Sequence, residues 1–310
     1  MKIAFIFPGQ GTQKVGMAAD FYQSYGVARE TFELADDVLR HSIKDMVFKG
    51  PESLLMGTRY SQIGIYVASM SILKTIQDQF PGLRPCYCAG LSLGEYSAAT
   101  AAKKIDYQHC LPLVWARGNY MHEACEDTRG TMAALIGMSG DDVDLMVKEL
   151  DMPEDLWVAN YNAPGQVVLS GTLKGVEKGI SAAKEAGARR AIPLQVHGAF
   201  HSGLMAKAEK RLLTDVREAL FVDSKIKLFA NVTGIEVTSV NGMKENLIKQ
   251  VTHSVRWEQC IENITDAGVD LFVEIGPGKT LAAMNKRIKV EAPTISIESV
   301  GDLEKLAKIL

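Results

Sequence analysis

The sequence carries no strong charge of one sign, no apolar stretch of membrane-spanning length, no repeat and no low-complexity tract. Each absence removes a class of function. A net charge of -3 over 310 residues offers no general attraction to nucleic acid or to an anionic membrane. An acidic partner would have to be met by a local basic patch. Spanning a bilayer as a helix takes roughly 20 consecutive apolar residues, and none of the apolar runs approaches that length. Cysteine is sparse and odd in number: the five residues Cys86, Cys88, Cys110, Cys125 and Cys260 are scattered through apolar segments. That usage fits a reducing, cytoplasmic setting with thiols as small hydrophobes and no disulfides. Cys86 and Cys88 alternate along a strand with no matching Cys or His pair after them, so no metal site is expected. Residues 1–7 resemble a short signal core, but Pro8-Gly9-Gln10-Gly11 follows at once and no small-residue cleavage site does. They read as a first buried strand.

What is present suits a globular enzyme of one large domain or two smaller ones, with 47% hydrophobic and 23% charged residues. Buried strands are predicted at Lys2 to Phe7, Pro85 to Ala89, Lys227 to Val232 and Asp270 to Ile275, with helical segments between them. This is the pattern of an α/β fold whose parallel sheet is covered on both faces. Between residues 131 and 196 the texture changes. Thr131 to Met138 reads as a strand and Asp141 to Leu150 as a helix, followed by a hairpin of Leu156 to Tyr161 and Val167 to Ser170 around Ala163-Pro164-Gly165. A helix opened by Thr172 follows, with Leu173, Val176, Ile180 and Ala183 on one face and Gly187 as its stop, and Ala191 to Val196 is the last strand. The order β-α-β-β-α-β is that of a ferredoxin-like unit. A small domain over 127–197 is therefore expected as an insert in a larger α/β domain of 1–126 and 198–310, with a cleft between them.

The chemistry centres on Gly90-Leu91-Ser92-Leu93-Gly94, a G-x-S-x-G sequence between the apolar run Cys86 to Ala89 and a small-residue helix from Glu95 to Ala102. On a sharp strand-to-helix turn the Ser92 hydroxyl faces outward, and the helix behind aims its N-terminal amides at a developing oxyanion. A serine that merely ends a strand and caps a helix is the plain alternative. A serine nucleophile needs a positioned base. His41, His109 and His122 lie in helical stretches with no special context, whereas His197, His201 and His253 lie in loops. Spacing leaves those three open. Arg117 shares a helical face with Cys110, Leu113, Val114 and Met121, which puts a guanidinium on the apolar side. A buried arginine needs an anion, either a protein carboxylate or a carboxylate of the substrate gripped by its fork. The amides of Gly9-Gln10-Gly11, just after the first strand, could donate to an oxyanion or simply form a tight turn.

Six stretches together resemble malonyl-CoA:acyl carrier protein transacylases. They are Phe7-Pro8-Gly9-Gln10-Gly11-Thr12-Gln13, Gly90 to Tyr96, Arg117-Gly118, Asn160 to Gln166, Phe200-His201-Ser202 and Glu274-Ile275-Gly276-Pro277-Gly278. The resemblance is collinear over nearly the whole chain. It implies a serine acyltransferase with an α/β-hydrolase-like core and a ferredoxin-like insert. It makes Ser92 the nucleophile, His201 the base and acid, Arg117 the clamp for the malonyl carboxylate, and the amides of Gln10 and Leu93 the oxyanion hole. The resemblance also implies that the imidazole is oriented by a main-chain carbonyl, that of Gln250, rather than by an acid. Asn160 and Asn162 fall on the small-domain side of the cleft, and Phe200 leaves little room for an α-methyl branch. The substrates implied are malonyl-CoA and the phosphopantetheine of holo acyl carrier protein, with no permanently bound cofactor and a monomeric enzyme.

Two positions depart from the family pattern. Leu91 stands where relatives usually carry histidine, removing a polar side chain beside Ser92 and altering acyl-enzyme lifetime. Ser254 stands where they usually carry proline, loosening the loop of Gln250. Because carrier proteins are acidic, Lys103, Lys104, Arg189, Arg190, Lys286 and Arg287 are candidates for the cleft mouth, each with an ordinary solvated charge as the alternative. A serine thioesterase or hydrolase, a polyketide-pathway malonyltransferase and a non-catalytic carrier-binding module are the competing readings.

Overall fold

The computed structural model describes every residue except His197. Among the described residues, ten strands form two sheets: β1 Ile3–Phe7, β2 Tyr87–Gly90, β3 Gly130–Ile136, β4 Leu156–Ala163, β5 Gln166–Thr172, β6 Arg190–Pro193, β7 Lys227–Leu228, β8 Val255–Arg256, β9 Leu271–Ile275 and β10 Thr294–Ile297. The first sheet is parallel, in the order β10-β9-β1-β2-β7. Its strands are apolar runs because both faces are covered. Alternation divides β1 between two cores: Ile3, Phe5 and Phe7 enter the larger one, and Ala4 and Ile6 the other. The helices Thr58–Gln79 and Tyr107–Asp127 contribute to the first core. Trp257–Asp266 and Thr280–Ile288 contribute to the second.

The second sheet runs β6-β3-β5-β4-β8. Its first four strands pair antiparallel, and β8 joins β4 in parallel through Asn160 and Val255. One face carries Ala133, Leu135, Leu156, Val158, Val167 and Leu169 against the helices Gly140–Leu150 and Leu173–Glu185. The other sends Met132, Ala159 and Val168 into the main core. Ser139 and Thr172 cap the two helices through their side-chain oxygens.

Several expectations need correction. The strand expected over Lys227 to Val232 is only two residues long, because Phe229 bridges Glu236 and the chain turns at Asn231. The last insert strand stops at Pro193 rather than Val196; Leu194, Gln195 and Val196 turn instead toward a cavity. Leu173, expected on the buried helix face, is 57% exposed at the first position of its helix. β8 and β10 were not anticipated. Among the described residues, no helix is long and apolar enough to cross a membrane.

Candidate active site

At the end of β2 the chain turns directly into a helix. Ser92 sits at φ 53, in the left-handed region, between β2 and the helix Gly94–Ala101. Holding a non-glycine residue there costs about 1 to 3 kcal/mol and needs outside support. The support is Asn231, whose side-chain oxygen accepts the Ser92 N–H at 2.7 Å while its amide nitrogen donates to the Gly90 carbonyl at 2.8 Å. Two glycines are required by close approach: a Cβ on Gly90 would lie 1.9 Å from the Gly94 carbonyl carbon, and one on Gly94 would lie 2.2 Å from the Phe7 oxygen.

The turn points the Ser92 hydroxyl at His201, with 2.8 Å between Oγ and Nε2. On the far side of the ring, Nδ1 lies 2.7 Å from the main-chain carbonyl of Gln250. A carbonyl only accepts, so Nδ1 carries the proton and Nε2 is left free to accept from serine. Burial, and secondly the charge of Arg117, lower the His201 ring to about 4, so it is neutral near pH 7.

Arg117 is buried on the helix Tyr107–Asp127, packed at its predicted helical spacing with Cys110, Leu113, Val114 and Met121. Its Nη1 donates to Gln62 Oε1 at 2.5 Å, and its Nη2 to Gln250 Oε1 at 2.9 Å and to Ser92 Oγ at 3.1 Å. These partners are all neutral. No carboxylate forms an ion pair with Arg117 among the described residues. Burial lowers its pKa, opposed by Tyr96 and Glu95.

These groups open into a cavity of about 330 Å³ between the two sheets. Ser92, Arg117, His201, Gln10, Asn160, Asn162 and Phe200 all line it. Leu93 lies directly after Ser92 with its side chain buried, and neither its amide nor that of Gln10 has a protein acceptor among the described residues. Asn162 Oδ1 is likewise buried and unpartnered. Leu91 lines the cavity and packs on the second core. Ser254 donates its hydroxyl to the Val158 carbonyl at a bulge of β4, which ties the Gln250 segment to the second sheet.

Other candidates lie elsewhere. His253 is exposed and bonded within its own turn to Thr252 and Lys249. His197 lies outside the described residues. None of the six basic candidates lines the cavity, and Lys104 is buried and paired with Asp223 at 3.3 Å. Sequence reasoning missed three residues around the elbow: Gln62, Glu95 and Asn231. Each is a fully or nearly fully buried polar side chain in an apolar setting. Asn231 also lies just past the carboxyl end of a parallel strand, where α/β sites form, and that was the available signal. Burial pushes the Glu95 carboxyl up to about 7, against hydrogen bonds from Gln250 and Asn231 and the charge of Arg117.

Comparison with known proteins agrees with this geometry. The acyl transferase domain family matches residues 4–308. The chain is 36% identical over 304 residues to the malonyl CoA-acyl carrier protein transacylase of Bacillus subtilis, covering 98% of this chain and 95% of that one. It is 36% identical over 309 residues to the protein of the same name from Escherichia coli strain K12, covering 100% and 99%. Among solved structures it resembles a malonyl-transacylase in complex with a type II polyketide synthase acyl-carrier protein, with TM-score 0.95, 34% identity and full coverage of both chains. It also resembles the transacylase of Clostridium perfringens, with TM-score 0.94, 33% identity and coverage of 100% and 97%. A serine on a glycine-flanked elbow, a neutral histidine against it and matches over nearly the full length agree: the chain belongs to the acyl transferase family, among the malonyl-CoA:acyl carrier protein transacylases.

Proposed function

We propose that the chain moves a malonyl group from malonyl-CoA to the phosphopantetheine thiol of an acyl carrier protein, through a malonyl-Ser92 intermediate. The observation that carries this reading is a buried guanidinium, 3.1 Å from the serine hydroxyl, that no carboxylate contacts among the described residues. An acyl group bearing its own carboxylate completes such a site. A charge-assisted hydrogen bond contributes about 1.5 to 3 kcal/mol, about 10- to 100-fold in preference over acetyl.

His201 Nε2 takes the Ser92 proton as Oγ attacks the thioester carbonyl. The oxyanion accepts from the amides of Gln10 and Leu93. As the tetrahedral species collapses, coenzyme A leaves with the proton from His201, and malonyl remains as an ester on Ser92. The carrier thiol then gives its proton to His201, its sulfur attacks the ester, and Ser92 recovers its proton. Asn160 and Asn162 bound the pocket on the β4 side, and the Phe200 ring limits substitution at the malonyl α-carbon.

The architecture behind this reading is an α/β-hydrolase-like core, 1–126 and 198–310, with a ferredoxin-like insert at 127–197. The antiparallel order β6-β3-β5-β4, with both its helices on one face, supports the insert. The enzyme acts as a cytoplasmic monomer without a bound cofactor, and its product feeds fatty-acid chain elongation. The likeness to a transacylase complexed with a polyketide carrier favours one second reading, the same transfer to a polyketide carrier. Initial rates against malonyl-CoA at several fixed concentrations of holo carrier protein are expected to give parallel double-reciprocal lines. Intersecting lines would sink the acyl-enzyme route.

A further inference from the structure

Among the described residues Glu95 is the one acid buried beside the elbow, and the chemistry above does not use it. It follows Gly94 in the elbow helix and is fully buried. Its Oε2 accepts from Gln250 Nε2 at 2.5 Å and from the Asn231 backbone N–H at 3.1 Å. Its Oε1 has no partner among the described residues.

Both partners hold the reacting groups. Asn231 supports the strained Ser92 backbone. Gln250 reaches the site in three ways: its main-chain oxygen accepts from His201, its Nε2 donates to the Ser92 carbonyl at 3.0 Å, and its Oε1 accepts from Arg117. An amide can sit either way round, and the neighbours decide which. With Nε2 toward Glu95, Oε1 faces the guanidinium. Reversed, Oε1 would meet Glu95 Oε2, which already accepts from the Asn231 N–H, and the Ser92 carbonyl, both acceptors, while the NH2 group would meet Arg117, a pure donor.

We propose that Glu95 is a positioning residue, which holds the Gln250 amide in the orientation that presents an oxygen to Arg117. The inference rests on the malonyl-transfer reading. It also accounts for the lack of an ion pair at Arg117. A carboxylate in direct contact would occupy the fork that the substrate carboxylate needs. Held one side chain away, Glu95 orients the guanidinium through Gln250 and leaves its anion site open.

The test compares malonyl with acetyl transfer in wild type, Glu95→Leu and Glu95→Gln. With one of the acceptors that orient the amide removed, Glu95→Leu is expected to lower the malonyl-to-acetyl ratio of kcat/KM by about tenfold, the low end for one charge-assisted hydrogen bond. In Glu95→Gln an amide oxygen still accepts from Gln250, so the ratio is expected to recover to within about threefold of wild type. A folded Glu95→Leu enzyme with an unchanged ratio overturns the proposal, as does a Gln variant no better than the Leu variant. If Glu95→Leu does not fold, Glu95→Asp decides: drawn back by one methylene, its carboxylate loses Gln250, and the same fall is expected. An unchanged ratio there overturns the role. Wild type that transfers no malonyl would overturn the functional reading itself, a result distinct from either.

Discussion

Arg117 and His201 set the two properties that can be read one residue at a time. Without the guanidinium, a malonyl carboxylate would enter a buried pocket unpaired, at a cost far above that for acetyl. Arg117→Ala is therefore expected to lose malonyl transfer by about 10- to 100-fold or more while raising acetyl transfer relative to wild type. Equal losses with both acyl donors would show that Arg117 is not the clamp. His201 must be unprotonated to act as base, and its ring is lowered to about 4. The acid limb of serine acylation is thus expected near pH 4, well below the ordinary histidine value of about 6.5. Single-turnover acylation rates across that range check this, and a limb at 6.5 would contradict a buried neutral ring. The same depression affects stability. Between about 6.5 and 4 the unfolded ring binds a proton that the folded one refuses, so the contribution is full above 6.5 and is lost as pH falls toward 4. Glu95, raised from 4.5 to about 7, has the opposite sign: its contribution is present below 4.5 and is lost as pH rises through 7.

The strand-to-helix elbow is the element on which the site depends. A methyl on Gly94 would collide with the Phe7 carbonyl of β1, which has no room to yield inside a buried sheet. Gly94→Ala is expected to cost about 1 to 3 kcal/mol or more and to slow acylation of Ser92. Unchanged thermal unfolding and acylation would show that the elbow is looser than drawn. Much of this element was legible in the sequence, because a glycine-flanked serine between an apolar run and a small-residue helix specifies its own geometry. The buried face of Arg117 was legible for the same reason, since helical spacing is local. Gln62, Glu95 and Asn231 were not, because their importance comes from contacts between segments distant in sequence. β7 was overread: its apolar run continues past the point where the chain turns Asn231 toward Ser92. The Glu274 motif gained a physical role, with the buried carboxylate accepting from the Leu281 and Ala282 amides at 2.9 and 3.1 Å and fixing the start of a helix whose Leu281 and Met284 line the cavity.

At the scale of the whole molecule, the site belongs to neither sheet alone. The parallel sheet supplies Ser92, and the antiparallel sheet supplies Asn160 and Asn162. The segment carrying Gln250 runs into β8, which pairs with β4 and is held by the bond of Ser254 to Val158 and of the Arg256 N–H to the Asn231 carbonyl. The base-orienting carbonyl and the far wall of the pocket are thereby tied together. Water is the competitor at such a seam, and a hydrolase with the same elbow would send it to the acyl-enzyme. Intact-protein mass spectrometry after mixing with malonyl-CoA, then with holo carrier protein, separates the two outcomes most directly. The predicted result is one malonyl adduct, absent in Ser92→Ala, that persists until the carrier is added and then appears on the carrier. An adduct that decays to free malonate at the same rate with or without carrier, or no adduct at all, would contradict the account.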